Sequence, residues 1–106
     1  NVVGRVPGAG ALAGRAVLVG AHYDHLGPAP GGQAYWGADD NAAGVSILVE
    51  VGRALAERAK ARPGESRRQV ILAAFDGEEP PHFLTGTMGS MHWCKLPPLP
   101  LSDLDQ

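Results

Sequence analysis

Two apolar runs of strand length, separated by a long amphipathic segment, most constrain the fold of this chain. Residues 16–21 and 70–75 contain only Gly, Ala, Val, Leu, Ile and Phe. Such runs are typical of strands buried on both faces at the centre of a sheet. Between them, residues 42–61 repeat their apolar side chains near a 3.6-residue period, which predicts a helix. A helix between two buried strands indicates an α/β fold.

The remaining segments complete the predicted order of elements. Residues 2–6 form a short strand closed by a Pro- and Gly-rich turn, and residues 26–37 form a loop that also contains several Pro and Gly residues. A short helix is predicted from about residue 85 to residue 93. The order is strand, strand, long helix, strand, short helix, and it predicts a mixed, mostly parallel sheet with helices on both faces.

Polar residues follow each of the two apolar runs. His22 and Asp24 come after the first run, and Glu78 and Glu79 follow the second. In open α/β sheets, ligands bind beyond the carboxyl ends of the strands, so we expect these side chains to lie close together. Carboxylates in apolar surroundings are unfavourable unless they are paired, protonated or bound to a cation. A bound divalent cation would satisfy this requirement.

Two adjacent acids open the long helix. Asp40 or Asn41 can cap its N-terminus, where acidic side chains also meet the positive end of the helix dipole. Capping accounts for one acid, but it does not explain why two acids, Asp39 and Asp40, are adjacent in the sequence. A carboxylate that bridges two cations would use both of its oxygens, so one of the pair is a candidate metal bridge.

The histidine and the glutamate pair each allow a structural and a functional interpretation. His22 is either hydrogen-bonded near the core, with Asp24 in a turn, or it binds zinc while Asp24 accepts its other ring N–H. Glu78 and Glu79 are either a solvated strand end or a pair with separate tasks. In the second case one carboxylate binds metal and the other is a general base for water.

Composition excludes several classes of partner. The formal charge of −2 implies no attraction to nucleic acid or to an anionic membrane, and no apolar run approaches the ~20 residues needed to span a bilayer. Cys94 is the only cysteine, which excludes a disulfide framework and a thiolate zinc cluster. The chain lacks an initiator Met and a signal peptide, so we expect it to begin within a longer sequence.

Three segments together resemble the signatures of metallopeptidase family twenty-eight, the co-catalytic zinc aminopeptidases of the bacterial leucyl type. These segments are GAHYDHLG (20–27), GADDNAAG (37–44) and AFDGEE (74–79). The EEPP sequence and the stretch TGTMGS (85–90) resemble one bacterial branch of that family. The resemblance implies a zinc-exopeptidase fold of the phosphorylase/hydrolase-like kind, and a periplasmic or secreted location.

By position, the resemblance implies a role for each candidate residue. His22 would bind one zinc ion, Glu79 would bind a second, and Asp40 would bridge the two. Glu78 would be the general base for the zinc-activated water, and Asp24 would orient His22. The substrate would be the N-terminus of a peptide or protein. The alternatives are a carboxypeptidase, a glutaminyl cyclase relative, and a non-catalytic, receptor-like member of the same fold.

The end of the chain departs from the family pattern, which continues into a strand that ends in an aspartate ligand and supplies a histidine ligand later. Residues 94–106 instead form a Pro-rich tail, in which three prolines within residues 97–100 disfavour a central strand. Asp103 or Asp105 could replace the aspartate, but we expect neither to do so. We therefore predict that residues 1–93 are the N-terminal part of an incomplete peptidase domain.

Overall fold

The computed structural model describes residues 1–105, which form a mixed α/β unit. Its elements are the strands β1 (Val2–Val6), β2 (Ala16–His22) and β3 (Gln69–Phe75) and the helices α1 (Gly44–Ala61) and α2 (Gly89–Lys95). The predicted order of elements is confirmed. Both apolar runs are strands, and each extends one residue beyond its predicted bounds.

The three strands form one mixed sheet in the order β1-β3-β2. β2 runs parallel to β3, whereas β1 runs antiparallel to it. The mostly parallel sheet that we predicted therefore has one parallel and one antiparallel pairing. The expected central position of β2 is wrong for residues 1–105, where β2 is an edge strand and Gly20 is exposed. An apolar run indicates that a strand is buried, but it does not identify the neighbours that bury it.

Helix α1 packs on one face of the sheet and contacts all three strands. Its residues Leu48 and Gly52 are buried. A Cβ atom on Gly52 would lie 2.6 Å from a methyl carbon of Leu72, so glycine allows the helix to approach β3 closely. Side chains alternate across a strand, so Ile71 and Ala73 lie on the opposite face, and they too are buried. The core therefore lies on both faces of β3.

Helix α1 begins at Gly44, two residues later than predicted, because the preceding segment Ala38–Ala43 is kinked, with non-helical backbone angles at Asp40 and Asn41. Neither of the two predicted capping residues is the N-cap, which is Ala43. Asn41 still binds the helix start, because its Oδ1 accepts a hydrogen bond of 3.0 Å from the Gly44 N–H. The Asp40 carboxylate is therefore not needed for capping.

Helix α2 begins at Gly89, not near Thr85 as predicted, and it continues to Lys95. The Thr85 hydroxyl donates to the His82 carbonyl oxygen (2.6 Å), and the Gly89 N–H donates to the Asp76 carbonyl oxygen (2.7 Å). These bonds hold the preceding residues in turns. Within residues 1–105, no helix has both the length and the apolar composition needed to cross a bilayer.

The C-terminal tail lies beside the beginning of β2. The Asp105 N–H donates to the Ala16 carbonyl oxygen (2.8 Å), and the Asp105 carboxylate forms ion pairs with Arg15 and Arg68. At about 3.3 Å per residue, Ala16 lies about 20 Å from His22 at the other end of β2. As we expected, Asp105 therefore does not replace the aspartate ligand of the family pattern. Asp103 is only two residues from Asp105 in the chain and belongs to the same tail.

We expect Asp105→Asn to lower the melting temperature by a few degrees at neutral pH. Hydrogen bonds from Arg68 and Arg15 lower the pKa of Asp105. A carboxylate with a depressed pKa stabilises the fold above its unfolded pKa, and this contribution is lost as the pH falls through the folded pKa. The difference from the wild type should therefore disappear in strong acid.

Thermal unfolding followed by circular dichroism at about pH 7 and about pH 2 measures this effect. Asp103→Asn is the matched control, because Asp103 forms no ion pair within residues 1–105. An equal loss at both pH values would contradict the prediction.

Candidate metal centre

The parallel pairing of β2 and β3 brings the predicted polar residues to one edge of the sheet. His22 is paired with Phe75 at the carboxyl ends of the two strands, and the Tyr23 N–H donates to the Phe75 carbonyl oxygen (2.9 Å). Asp24 lies two residues beyond the end of β2, and Glu79 lies four residues beyond the end of β3. Residues more than 50 positions apart in the chain are therefore neighbours at this edge.

His22, Asp40 and Glu79 form a compact group of potential metal ligands. The His22 Nε2 lies 2.9 Å from the Asp40 Oδ1, and one ligand atom from each of the three residues lies within 4.8 Å of the other two. In a tetrahedral zinc site with bonds of about 2.0–2.1 Å, ligand atoms are about 3.3 Å apart. Small side-chain movements would therefore close the group around an ion, and imidazole with carboxylates suits zinc.

Asp24 lies on the other side of the His22 ring. The His22 Nδ1 and the Asp24 Oδ1 are 3.6 Å apart, and both are buried without a hydrogen-bond partner among the described residues. Buried polar atoms normally have a partner. A metal-binding histidine usually donates its other ring N–H to a carboxylate, and a movement of about half an ångström would form that bond here. The pair therefore fits a His22 that binds metal through Nε2.

Asp24 also connects His22 to the loop that carries the glutamates. Its Oδ2 accepts a hydrogen bond of 2.8 Å from the Glu79 N–H. Burial raises the pKa of Asp24, but hydrogen bonds from the backbone N–H groups of Glu79 and Glu78 and the nearby His22 outweigh burial, so the pKa is lowered. Asp24 is therefore charged at neutral pH, which favours a histidine that binds a cation.

We expect Asp24→Asn to lower the zinc affinity of the chain by about 10–100-fold, because an amide does not place a negative charge behind the imidazole. Competition with a chromogenic chelator measures the affinity. Asp76→Asn is the matched control, because Asp76 lies near the same edge of the sheet. Within residues 1–105, the one backbone N–H that donates to the Asp76 carboxylate is that of its neighbour Gly77. A full zinc affinity in Asp24→Asn would contradict the prediction.

Glu78 lies outside the ligand group, and Ser90 at the beginning of α2 holds its carboxylate. The Ser90 N–H donates to Oε1 (2.6 Å), and the Ser90 hydroxyl donates to Oε2 (2.9 Å). The two neighbouring glutamates therefore have different surroundings. The sequence did not predict a role for Ser90. The only signal was that Ser90 is the last residue of the stretch TGTMGS (85–90), which carries a family resemblance.

A cavity of about 690 Å³ opens at the ligand group. One part of its wall is polar and the other is apolar; the lining includes His22, Asp40, Glu78, Glu79, Phe75, Pro80 and Phe83. His25 and Asp39 are not in the ligand group. His25 has a local role, because its Nδ1 accepts a hydrogen bond from the Gly27 N–H (3.0 Å).

Comparison with known proteins gives two matches. The sequence model of peptidase family M28 matches residues 1–105. The uncharacterized protein YfbL of Escherichia coli (strain K12) is 38% identical over 79 residues, which are 73% of this chain and 23% of that protein. The matched region is thus about a quarter of that relative's length. No solved structure gives a significant match. The predicted division between residues 1–93 and the tail stays a prediction.

Proposed function

Because this chain belongs to peptidase family M28, we propose that it is part of a zinc-dependent exopeptidase that removes residues from the N-terminus of peptides. Family membership supports a metallopeptidase, a hydrolase that acts on peptides. The observation that carries the zinc assignment is the group of His22, Asp40 and Glu79 beside one cavity. In the same proposal, the three-stranded sheet is part of a zinc-exopeptidase fold.

Each residue of the site has a separate role in this proposal. His22 would bind one zinc ion, Glu79 would bind a second, and Asp40 would be shared by the two. Asp24 orients the His22 ring from behind, which its depressed pKa supports. Zinc held by these residues would lower the pKa of a water molecule and polarise the scissile carbonyl.

Glu78 is the general base in the proposed reaction. It takes a proton from the attacking water and returns it to the leaving amine. Two observations support this role: Glu78 lines the same cavity as the ligand group, and its carboxylate is not among the potential metal ligands. A carboxylate bound to a cation would be a poor base, so the separation of Glu78 from Glu79 suits the chemistry.

The three ligands from this chain give only part of the coordination that two zinc ions need. A catalytic zinc ion usually has three protein ligands and a water molecule. Even with Asp40 shared, each ion has only two protein ligands from this chain. One ion has Asp40 and His22, and the other has Asp40 and Glu79. Asp105 does not add one, because it is bound to Arg15 and Arg68 at the opposite end of β2. We therefore propose that the complete domain supplies the missing aspartate and histidine.

We expect the 106-residue chain to bind zinc weakly and to hydrolyse aminoacyl-nitroanilides slowly or not at all. Zinc titration by calorimetry and release of nitroaniline measure the two properties. Tight binding of two zinc ions together with turnover would contradict the partial site.

A longer protein that contains the complete domain tests the activity itself. It should hydrolyse a nitroanilide with a free N-terminus and leave its N-acetylated form intact, because an aminopeptidase recognises the free amine. Equal hydrolysis of both substrates would contradict the aminopeptidase proposal but not the zinc site.

A further inference from the structure

A single residue binds both carboxylate oxygens of Glu78. The Ser90 N–H and hydroxyl lie 2.6 Å and 2.9 Å from Oε1 and Oε2, and both hydrogen bonds are partly buried. Such short distances are typical of hydrogen bonds to a charged carboxylate. Ser90 lies in the first turn of α2, where a backbone N–H has no acceptor within the helix. Its N–H is therefore free to bind Glu78.

The surroundings of two adjacent glutamates determine which of them reaches the cations. Glu78 and Glu79 line the same cavity as His22 and Asp40, and a glutamate side chain has several rotatable bonds. A free Glu78 carboxylate could thus join Glu79 at the metal. Two contacts separate the pair: Asp24 accepts from the Glu79 N–H, and Ser90 binds the Glu78 carboxylate.

We propose that Ser90 is a positioning residue, which keeps the Glu78 carboxylate out of the metal coordination sphere and holds it available for proton transfer. This inference rests on the proposed function, because it assumes that His22, Asp40 and Glu79 bind zinc. Ser90 acts through Glu78 and belongs to an element that supplies none of the three ligands. A role that only stabilises the fold would attach α2 to the loop after β3 without affecting metal coordination.

A double-mutant cycle on zinc affinity separates these two roles. Ser90→Ala removes the hydroxyl donor and frees one Glu78 oxygen, so the 106-residue chain should bind zinc more tightly. Glu78→Gln should cancel this gain, and the coupling between the two substitutions should be about threefold or more. Ser90→Thr keeps both donors and should bind zinc as the wild type does. The cycle removes the general effect of losing one negative charge near the site.

Calorimetric titration of the four chains with zinc gives the coupling, and Ser102→Ala is the matched control, since Ser102 lies in the tail beside the far end of β2. Additive effects of Ser90→Ala and Glu78→Gln would overturn the proposal. A lower zinc affinity in Ser90→Ala, with the fold intact by circular dichroism, would also overturn it.

NMR of the metal-free chain tests the hydrogen bonds without zinc. The Ser90 amide proton should resonate downfield in the wild type and in Ser90→Thr, and Glu78→Gln should move the Ser90 resonance upfield. An unchanged Ser90 resonance in Glu78→Gln would overturn the positioning role, even where Ser90→Ala does not fold. A wild-type chain that binds no zinc would contradict the proposed metal site, and hence the coordination part of this inference. In that case, a Ser90 amide resonance that moves in Glu78→Gln would still establish the contact between Ser90 and Glu78.

Discussion

His22→Ala should lower the zinc affinity of this chain by more than about 100-fold, a larger loss than the roughly 10–100-fold expected for a residue that only orients a ligand. His22 supplies the only nitrogen atom of the ligand group, and its Nε2 lies 2.9 Å from the Asp40 carboxylate. Without it, the ion assigned to His22 keeps only the Asp40 carboxylate as a ligand from this chain. Competition with a chromogenic chelator at neutral pH measures the affinity of the wild type and the variant.

His25→Ala is the matched control for that experiment. His25 is three residues further along the chain and is exposed, but it is not in the ligand group. Its removal should leave zinc affinity within about twofold of the wild type, because surface substitutions usually have small effects. Equal losses for the two histidines would contradict the assignment of His22.

Glu78→Gln should lower kcat by about 10²–10⁴-fold in a protein that contains the complete domain, while the zinc content stays unchanged. Gln cannot accept the proton of the attacking water, but it has nearly the same shape as Glu and can still accept hydrogen bonds from Ser90. Kinetics with an aminoacyl-nitroanilide and metal analysis of the purified protein measure the two properties.

The control for that substitution is Glu57→Gln on the exposed side of α1, where Glu57 pairs with Arg53. It should not change turnover. Full activity of Glu78→Gln would contradict the role of Glu78 as general base. A wild-type protein that binds two zinc ions but hydrolyses no peptide would favour the non-catalytic, receptor-like alternative.

The strands and the long helix were predictable because their signals are local. The apolar run at residues 70–75 predicts a buried strand, whichever segments of the chain pack against it. A 3.6-residue period predicts α1. The helix starts were less predictable. At the start of α1, Asn41 accepts a hydrogen bond from the Gly44 N–H, and at the start of α2, the Gly89 N–H donates to the Asp76 carbonyl oxygen. The second contact joins residues that the sequence does not show to be neighbours.

The candidate metal site was predictable in its residues but not in its arrangement. Imidazole and carboxylates after buried strands indicate a cation site by their chemistry, and the parallel register of β2 and β3 brings His22 near Glu79. The contact between Glu78 and Ser90 was not predictable. It depends on the position of α2, and a serine at a helix start has many possible partners.

The sequence by itself determined the strands, the long helix, the family and the types of side chain at the sheet edge, because these depend on local patterns and on residue chemistry. Only the tertiary structure decided that Glu79 lies in the ligand group, that Ser90 holds Glu78, and that Asp105 lies at the far end of β2. The physical reason is that each of these contacts joins residues on different elements. Their distances are set by strand pairing and helix packing, which no single segment specifies.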